Sequence, residues 1–136
     1  MEREFENEIK DKEKKFKIRG KIDRIDELNG EVRVIDYKSG KKLRQSNITI
    51  KHSEELTKEK GIYNLQLLVY MLGVKEKFNE KTIKSGIINL KNISEGVLEG
   101  VFNGKTVLNN NEMENYKNKI ITIIANILDK GKLFRN

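Results

Sequence analysis

Cysteine, proline and tryptophan are absent from this 136-residue chain, and histidine occurs once. Without cysteine there can be no disulfide, thiol nucleophile, iron–sulfur cluster or thiolate zinc site within these residues. No run approaches the ~18 apolar residues that a membrane-spanning helix needs. The opening MEREFENEIK is too acidic for a secretory signal, so a cytoplasmic location is the expectation. Neither GxGxxG nor GxxxxGK[ST] occurs, which excludes the usual phosphate-cradling loops of nucleotide hydrolysis. Pro/Ser-rich linkers, low-complexity tracts and clear repeats are missing too. Residues 1–136 therefore read as a single domain, long enough to bury a core.

Charge is what the chain has in quantity. Hydrophobic and charged residues each make up 36%, and 28 Lys and Arg against 21 Asp and Glu leave a net charge of +7. A basic surface attracts polyanions over about 8 Å at physiological salt, so nucleic acid or an anionic membrane surface would suit it. A soluble protein with surplus lysine has the same balance, and charge alone does not choose between them. The wealth of Lys, Asn and Ile reflects AT-rich coding at least as much as function.

Hydropathy patterning predicts strands from Phe5 to Lys38, with Asp11–Lys15 as a turn. Asn29-Gly30 separates GKIDRIDEL from EVRVIDYK, and Asn-Gly between alternating segments is a strong hairpin signal, because a type I′ turn needs positive φ at both central residues. Ser46–Lys60 is irregular, with a helical turn expected near Ser53–Lys58. GIYNLQLLVYML has helical spacing, with Leu65, Leu68, Val69 and Leu72 as its apolar stripe and Gly73 as its stop. Ile83–Leu90 reads as a buried strand. Val97–Phe102 and Lys105–Leu108, either side of Asn103-Gly104, read as a second hairpin. Met113, Tyr116, Ile120, Ile123, Ile124, Ile127 and Leu128 define an amphipathic helix to about Lys130. The expected class is α/β (α+β): a mixed sheet with an antiparallel hairpin meander, flanked by helices.

The first hairpin carries the chemistry. If Asn29-Gly30 is a two-residue loop, paired residue numbers sum to 59, so Val34 faces Ile25, Arg33 faces Asp26 and Asp36 faces Asp23. Directly opposed side chains share a face, with Cβ atoms about 5 Å apart. Alternation adds Lys38, giving a face of Lys21, Asp23, Ile25, Val32, Val34, Asp36 and Lys38 that is apolar at one end and charged at the other. Two opposed carboxylates repel, and a divalent metal resolves the conflict. Lys38 can then orient or help deprotonate a metal-bound water, or neutralise charge developing on a phosphate. A surface salt-bridge ladder in which Lys38 and Arg24 neutralise the aspartates is the competing structural reading. Asp26 and Arg33, on the other face, are complementary and need no metal.

Three motifs in order resemble the PD-(D/E)xK nuclease superfamily, in its RecB/AddB-like branch: Gly20-Lys21-Ile22-Asp23-Arg24-Ile25-Asp26, Ile35-Asp36-Tyr37-Lys38-Ser39-Gly40, and Gln66-Leu67-Leu68-Val69-Tyr70. Together they span about half the chain. The resemblance implies a restriction-endonuclease-like core, Asp23 and Asp36 as metal-binding acids, the Tyr37 main-chain carbonyl as a further ligand, and Lys38 as the catalytic lysine. It implies Mg²⁺ or Mn²⁺ as cofactor and DNA as substrate, cleaved from an end as part of a helicase–nuclease repair or recombination protein, with a helicase subunit or the rest of a larger chain as partner. Gln66 and Tyr70 share a helical face, with Tyr63 on the same side, and by resemblance that face approaches the active site and the DNA. Lys41, Lys42 and Arg44 follow the second motif, where they can contact phosphates or simply form a solvated loop. Arg24 and Lys41 are the expected supporting cations.

Two departures accompany the resemblance. Relatives add a Glu or His from a helix upstream of the first strand; Glu2, Glu4, Glu6 and Glu8 are present here, but none matches that position. Many also carry an iron–sulfur cysteine cluster, and this chain reaches Leu133-Phe134-Arg135-Asn136 without one. The expectation is a piece of a larger protein, cut at both ends and weakly active alone. A catalytically inactive DNA-binding or scaffolding module that keeps the fold is the alternative. His52, the lone histidine, reads as a surface or core residue.

Overall fold

The computed structural model describes residues 3–11, 14–75, 77–78 and 81–130, with side chains for 20–27, 29–75, 77–78 and 81–126. Lys12 and Glu13 of the first expected turn, Glu2 and Leu133–Asn136 lie outside the described residues, as do the side chains of Glu4, Glu6, Glu8, Ile127 and Leu128. The elements are β1 (Arg3–Asp11), β2 (Lys14–Ile22), β3 (Arg24–Leu28), β4 (Glu31–Lys38), β5 (Thr49–Ile50), α1 (Ile62–Val74), β6 (Thr82–Asn89), β7 (Val97–Glu99), β8 (Val101–Phe102), β9 (Val107–Leu108) and α2 (Asn110–Lys130). Short 3₁₀ turns at Gln45–Ile48, Ser53–Thr57 and Glu59–Gly61 fill the segment before α1.

The Asn29-Gly30 turn forms as expected, with φ of 54° and 80°. It pairs Leu28 with Glu31, Ile25 with Val34 and Asp26 with Arg33. The main sheet runs β3-β4-β6-β7, with β9 also on β6. β4 and β6 are parallel from Glu31↔Thr82 to Lys38↔Asn89. A parallel pair needs a crossover, and α1 lies within it. Both strands therefore end side by side at one edge of the sheet.

Alternation along β4 sends Val32, Val34 and Asp36 to one face, where Val32 and Val34 join a core with Ile83 and Ile87 of β6. Leu67, Leu68 and Met71 of α1 and Met113, Ile120 and Ile121 of α2 pack into the same cluster, so both helices bury their apolar sides there. Phe102 is buried at its far side, edge-on to Tyr116 with ring centroids 5.7 Å apart. Asn64, fully buried on α1, donates to the carbonyls of Ile48 (3.0 Å) and Val101 (3.1 Å), tying the preceding loop to β8.

Three local expectations are corrected. α1 continues through Gly73 to Val74. Its most buried residues are Asn64, Leu67, Leu68, Met71 and Leu72, while Leu65 and Val69 are only partly covered. The helix is apolar nearly all round, so spacing alone did not identify the inward stripe. Asn103-Gly104 does turn with positive φ, but only Phe102 and Lys105 bridge across it. β6 takes β7 and β9, and β5 takes β8, so the second hairpin's strands pair elsewhere.

Candidate active site

The chain bends at Asp23, between β2 and β3. The hairpin ladder ends at Arg24↔Ile35, one step short of the expected Asp23–Asp36 pair. Lys21 consequently belongs to β2, paired with Glu4 of β1, and not to the hairpin face. The bend still leaves Asp23 at the end of β4, where its Oδ2 accepts the Tyr37 backbone N–H at 2.8 Å. Asp36, only 6% exposed, is the most enclosed carboxylate of the cluster. Burial pushes its pKa above the ordinary value; Lys38 opposes that rise and the neighbouring Asp23 carboxyl adds to it. The carboxyls of Asp23 and Asp36 are thus neighbours, although the ladder stops one step before them.

Lys38 is held from three directions. Its Nζ is 2.9 Å from Asp36 Oδ2, donates to Gln66 Oε1 at 2.8 Å, and lies 5.6 Å from the centre of the Tyr63 ring. Gln66 Nε2 in turn donates to the Tyr70 hydroxyl at 2.9 Å. Burial, then the negative charge of Asp36, raises the Tyr70 pKa, so the phenol keeps its proton at neutral pH. The i,i+4 spacing of Gln66 and Tyr70 thus delivers both to the end of β4, and Tyr63, one turn earlier, closes over the lysine. An amide that accepts from Lys38 and donates to Tyr70 leaves little freedom for either.

Not every expected residue comes to this cluster. Arg24 turns to the opposite face and pairs with Asp26 at 3.2 Å. Asp26 also takes a two-pronged contact from Arg33, at 3.1 and 3.0 Å, and the Arg33 bond holds its carboxyl below the usual range. This is the complementary pair on the other face expected from the sequence. Asp26→Asn is expected to cost no more than about 1 kcal/mol in chemical denaturation, because the pair is partly solvated. Lys41, Lys42 and Arg44 are exposed in the loop after β4. His52 is exposed beside Glu55, whose carboxylate accepts the His52 and Lys51 N–H groups and is held down to about 2.

One residue escaped sequence reasoning. Asn89, 2% exposed at the end of β6, donates to the Lys41 carbonyl at 2.9 Å and accepts the Lys91 N–H at 2.9 Å. It locks the loop after β4 to the loop after β6. An asparagine closing a buried strand was the available signal, but only the parallel register shows what it reaches.

The profile of the PD-(D/E)XK nuclease superfamily matches residues 1–134. The chain belongs to that superfamily. Comparison with curated proteins and with solved structures gave no match. The mixed sheet flanked by two helices is consistent with the superfamily's restriction-endonuclease-like fold. Membership carries nuclease chemistry and DNA binding in general terms, and PD-(D/E)XK nucleases generally use divalent ions such as Mg²⁺ or Mn²⁺. Among the described residues no helix is long and apolar enough to cross a membrane.

The end of β4 suits such an ion. Mg²⁺ takes oxygen ligands, typically one or two carboxylates, and keeps several waters. Asp36 Oδ2 is shut off from solvent, with the Lys38 ammonium 2.9 Å away. One ammonium balances one of the two neighbouring carboxylates, and a divalent cation would offset the remaining charge. The Lys38 carbonyl accepts from Leu90 on the β6 side. Alternation therefore turns the N–H and carbonyl of Tyr37 toward the end of β3, where the N–H meets Asp23. The two carboxylates and the Tyr37 peptide are therefore neighbours at the end of β4. Among the described residues no third acid or histidine joins them.

Proposed function

We propose that this chain is a metal-dependent deoxyribonuclease domain that hydrolyses phosphodiester bonds at the end of β4. Asp23, Asp36 and the Tyr37 carbonyl would hold the ion, which when bound polarises the scissile phosphate and acidifies a coordinated water. The observation that carries the reading is Asp36, enclosed beside a second carboxylate with a single ammonium, Lys38, 2.9 Å from its Oδ2.

The protein's own groups have distinct tasks. Lys38 keeps a positive charge fixed where a phosphate oxygen gains negative charge as water attacks phosphorus and the P–O bond to the leaving group breaks. Gln66 is a positioning residue that fixes the ammonium and orients Tyr70. Tyr70, kept protonated, offers a neutral hydroxyl near the phosphate. Lys41 in the adjoining loop neutralises flanking phosphates; Arg24, turned away, leaves this set. The exonucleolytic, helicase-coupled setting rests on the three-motif resemblance to the RecB/AddB-like branch.

Digestion of end-labelled linear duplex and of closed circular duplex, with Mg²⁺ or Mn²⁺ and again in EDTA, tests the activity. Linear DNA should be degraded only with metal, and circular DNA should survive if an end is required. Lys38→Ala should slow cleavage by about 10²-fold, a typical contribution for a positioned charged or proton-transferring group, while Mn²⁺ still binds in calorimetry. Metal-independent DNA binding with no cleavage of any substrate would favour the inactive module, a reading supported by the missing third acid or histidine among the described residues.

A further inference from the structure

A cavity lies between α2 and the segment that leaves β5, apart from the catalytic cluster. Its volume is about 620 Å³, within the ~300–1,000 Å³ usual for small-ligand sites. None of Asp23, Asp36, Lys38, Gln66 or Tyr70 lines it. One wall is a polar stripe of α2, where Asn115, Asn118, Lys119 and Thr122 recur at three- and four-residue spacing and so face the same way. The other wall is the run Lys51, His52, Ser53 and Glu54 after β5. Asn103 lines it from the turn after β8, where its N–H donates to the Ile50 carbonyl at 2.8 Å.

The groups in these walls select an occupant. Tyr116 contributes a partly covered ring, held on the core side by buried Phe102. Among the described residues the side-chain amides of Asn103, Asn115 and Asn118 and the ammonium groups of Lys51 and Lys119 have no hydrogen bond or ion pair. Glu112 is committed to Lys105 and to the Asn109 N–H. Two free ammonium groups therefore stand against one free carboxylate, that of Glu54. Such walls fit a ligand with a flat face, an edge of donors and acceptors, and an anion. A nucleotide has all three. An amide presents a donor beside an acceptor, the pattern that matches N7 and N6 of adenine. Two lysines suit one phosphate, not the chain of phosphates that a glycine-rich loop cradles. A sugar phosphate would leave the ring unused, and inorganic phosphate would leave the amides unused as well.

We infer that this cavity binds a free adenine nucleotide carrying a single phosphate. The base lies against the Tyr116 ring with its edge on the Asn115 and Asn118 amides. Lys51 and Lys119 hold the phosphate, and Glu54 accepts from the sugar hydroxyls. A ligand held this way bridges α2 to the end of β5 and ties the two together. The site stands independently of the nuclease reading, because it shares no residue with the catalytic cluster and needs no metal ion. It holds one nucleotide and not a strand, since the next phosphate of a strand would meet the Glu54 carboxylate.

Calorimetric titration with AMP, in EDTA so that no metal bridges it to the carboxylates, reads the site directly. AMP should bind and raise the melting temperature, as any ligand of the folded state does. Adenosine and inorganic phosphate should each bind at least about tenfold more weakly, since each lacks one half of the contacts. Lys51→Ala with Lys119→Ala should weaken AMP by about tenfold and leave adenosine within about twofold. Asn115→Ala with Asn118→Ala should weaken AMP and adenosine alike by about tenfold or more, the scale of a lost two-pronged base contact. Tyr116→Phe keeps the ring and should retain binding. Circular dichroism checks that each variant folds. Lys38→Ala should bind AMP as the wild type does; loss there would put AMP in the catalytic cluster and overturn the inference. Phosphate binding as tightly as AMP would reduce the cavity to an anion patch and overturn it too. Displacement of AMP by an equal concentration of a 5′-phosphorylated oligo(dA) would assign the cavity to a strand end instead. No binding at millimolar AMP would remove the site and leave the nuclease reading intact.

Discussion

Asp36→Asn is expected to abolish cleavage while making the metal-free protein harder to unfold. The loss should be about 10³-fold or more, since removing even a residue that only supports a metal ligand costs ~10–100-fold and this carboxylate would be a ligand itself. The gain in stability follows from the environment. Burial raises the Asp36 pKa despite Lys38 at 2.9 Å, so the folded chain disfavours the ionised form more than water does. An amide of the same shape carries no such cost, and about 0.5–2 kcal/mol is the usual gain when a functional strain is relieved.

The pH dependence gives this prediction its sign. An acid whose folded pKa lies above its unfolded value of 3.8 binds more protons in the folded state between those two values. Its contribution to stability is therefore full below 3.8, falls as the pH climbs through the raised folded value, and stays at its lower level above. Asp36→Asn has no such loss, so its melting temperature in EDTA should exceed the wild type's by more at neutral pH than in acid. Mn²⁺ should then raise the wild-type melting temperature and leave the variant unmoved. A variant less stable than wild type at neutral pH would show that Lys38 attraction outweighs burial, and the metal-poised reading of Asp36 would lose its physical basis.

The features legible in the sequence were those that depend on neighbours a few residues apart. Asn29-Gly30 set the hairpin register because its turn needs positive φ at both positions, and Gln66 and Tyr70 shared a face because helical spacing demands it. The bend at Asp23 was not legible: GKIDRIDEL alternates without a proline or an internal glycine to mark the break. The inward stripe of α1 was misread because apolar residues surround most of the helix. The partners of β8 and β9 are β5 and β6, tens of residues away, and no local turn signal encodes such pairing. Asn89 and the contact of Leu90 with Lys38 belong to the same class. They matter only because β6 runs parallel to β4 and ends beside it.

That dependence on distant packing makes a single added methyl at Gly61, in Gly61→Ala, strongly damaging. A Cβ at Gly61 would lie 2.1 Å from the Glu55 carbonyl oxygen, 2.6 Å from its carbon and 3.0 Å from the Leu56 Cα. All three are backbone atoms, so no rotamer change relieves the contact. The carbonyl belongs to the 3₁₀ turn Ser53–Thr57, which also buries Leu56 and holds Lys58 N–H on Glu55. Gly61 itself is buried immediately before α1, so the turn and the helix must separate to admit the methyl group. Overpacking in a well-packed interior typically costs about 1–3 kcal/mol, and a backbone clash belongs at or above the upper end. The displacement would also act on function, since Tyr63 and Gln66 begin only two and five residues later and fix Lys38. Gly61→Ala should therefore lower the denaturation midpoint and, in whatever fraction remains folded, reduce cleavage while leaving Mn²⁺ binding at Asp23 and Asp36 in place. A folded variant with wild-type cleavage would mean that α1 does not depend on this junction for its position over the lysine.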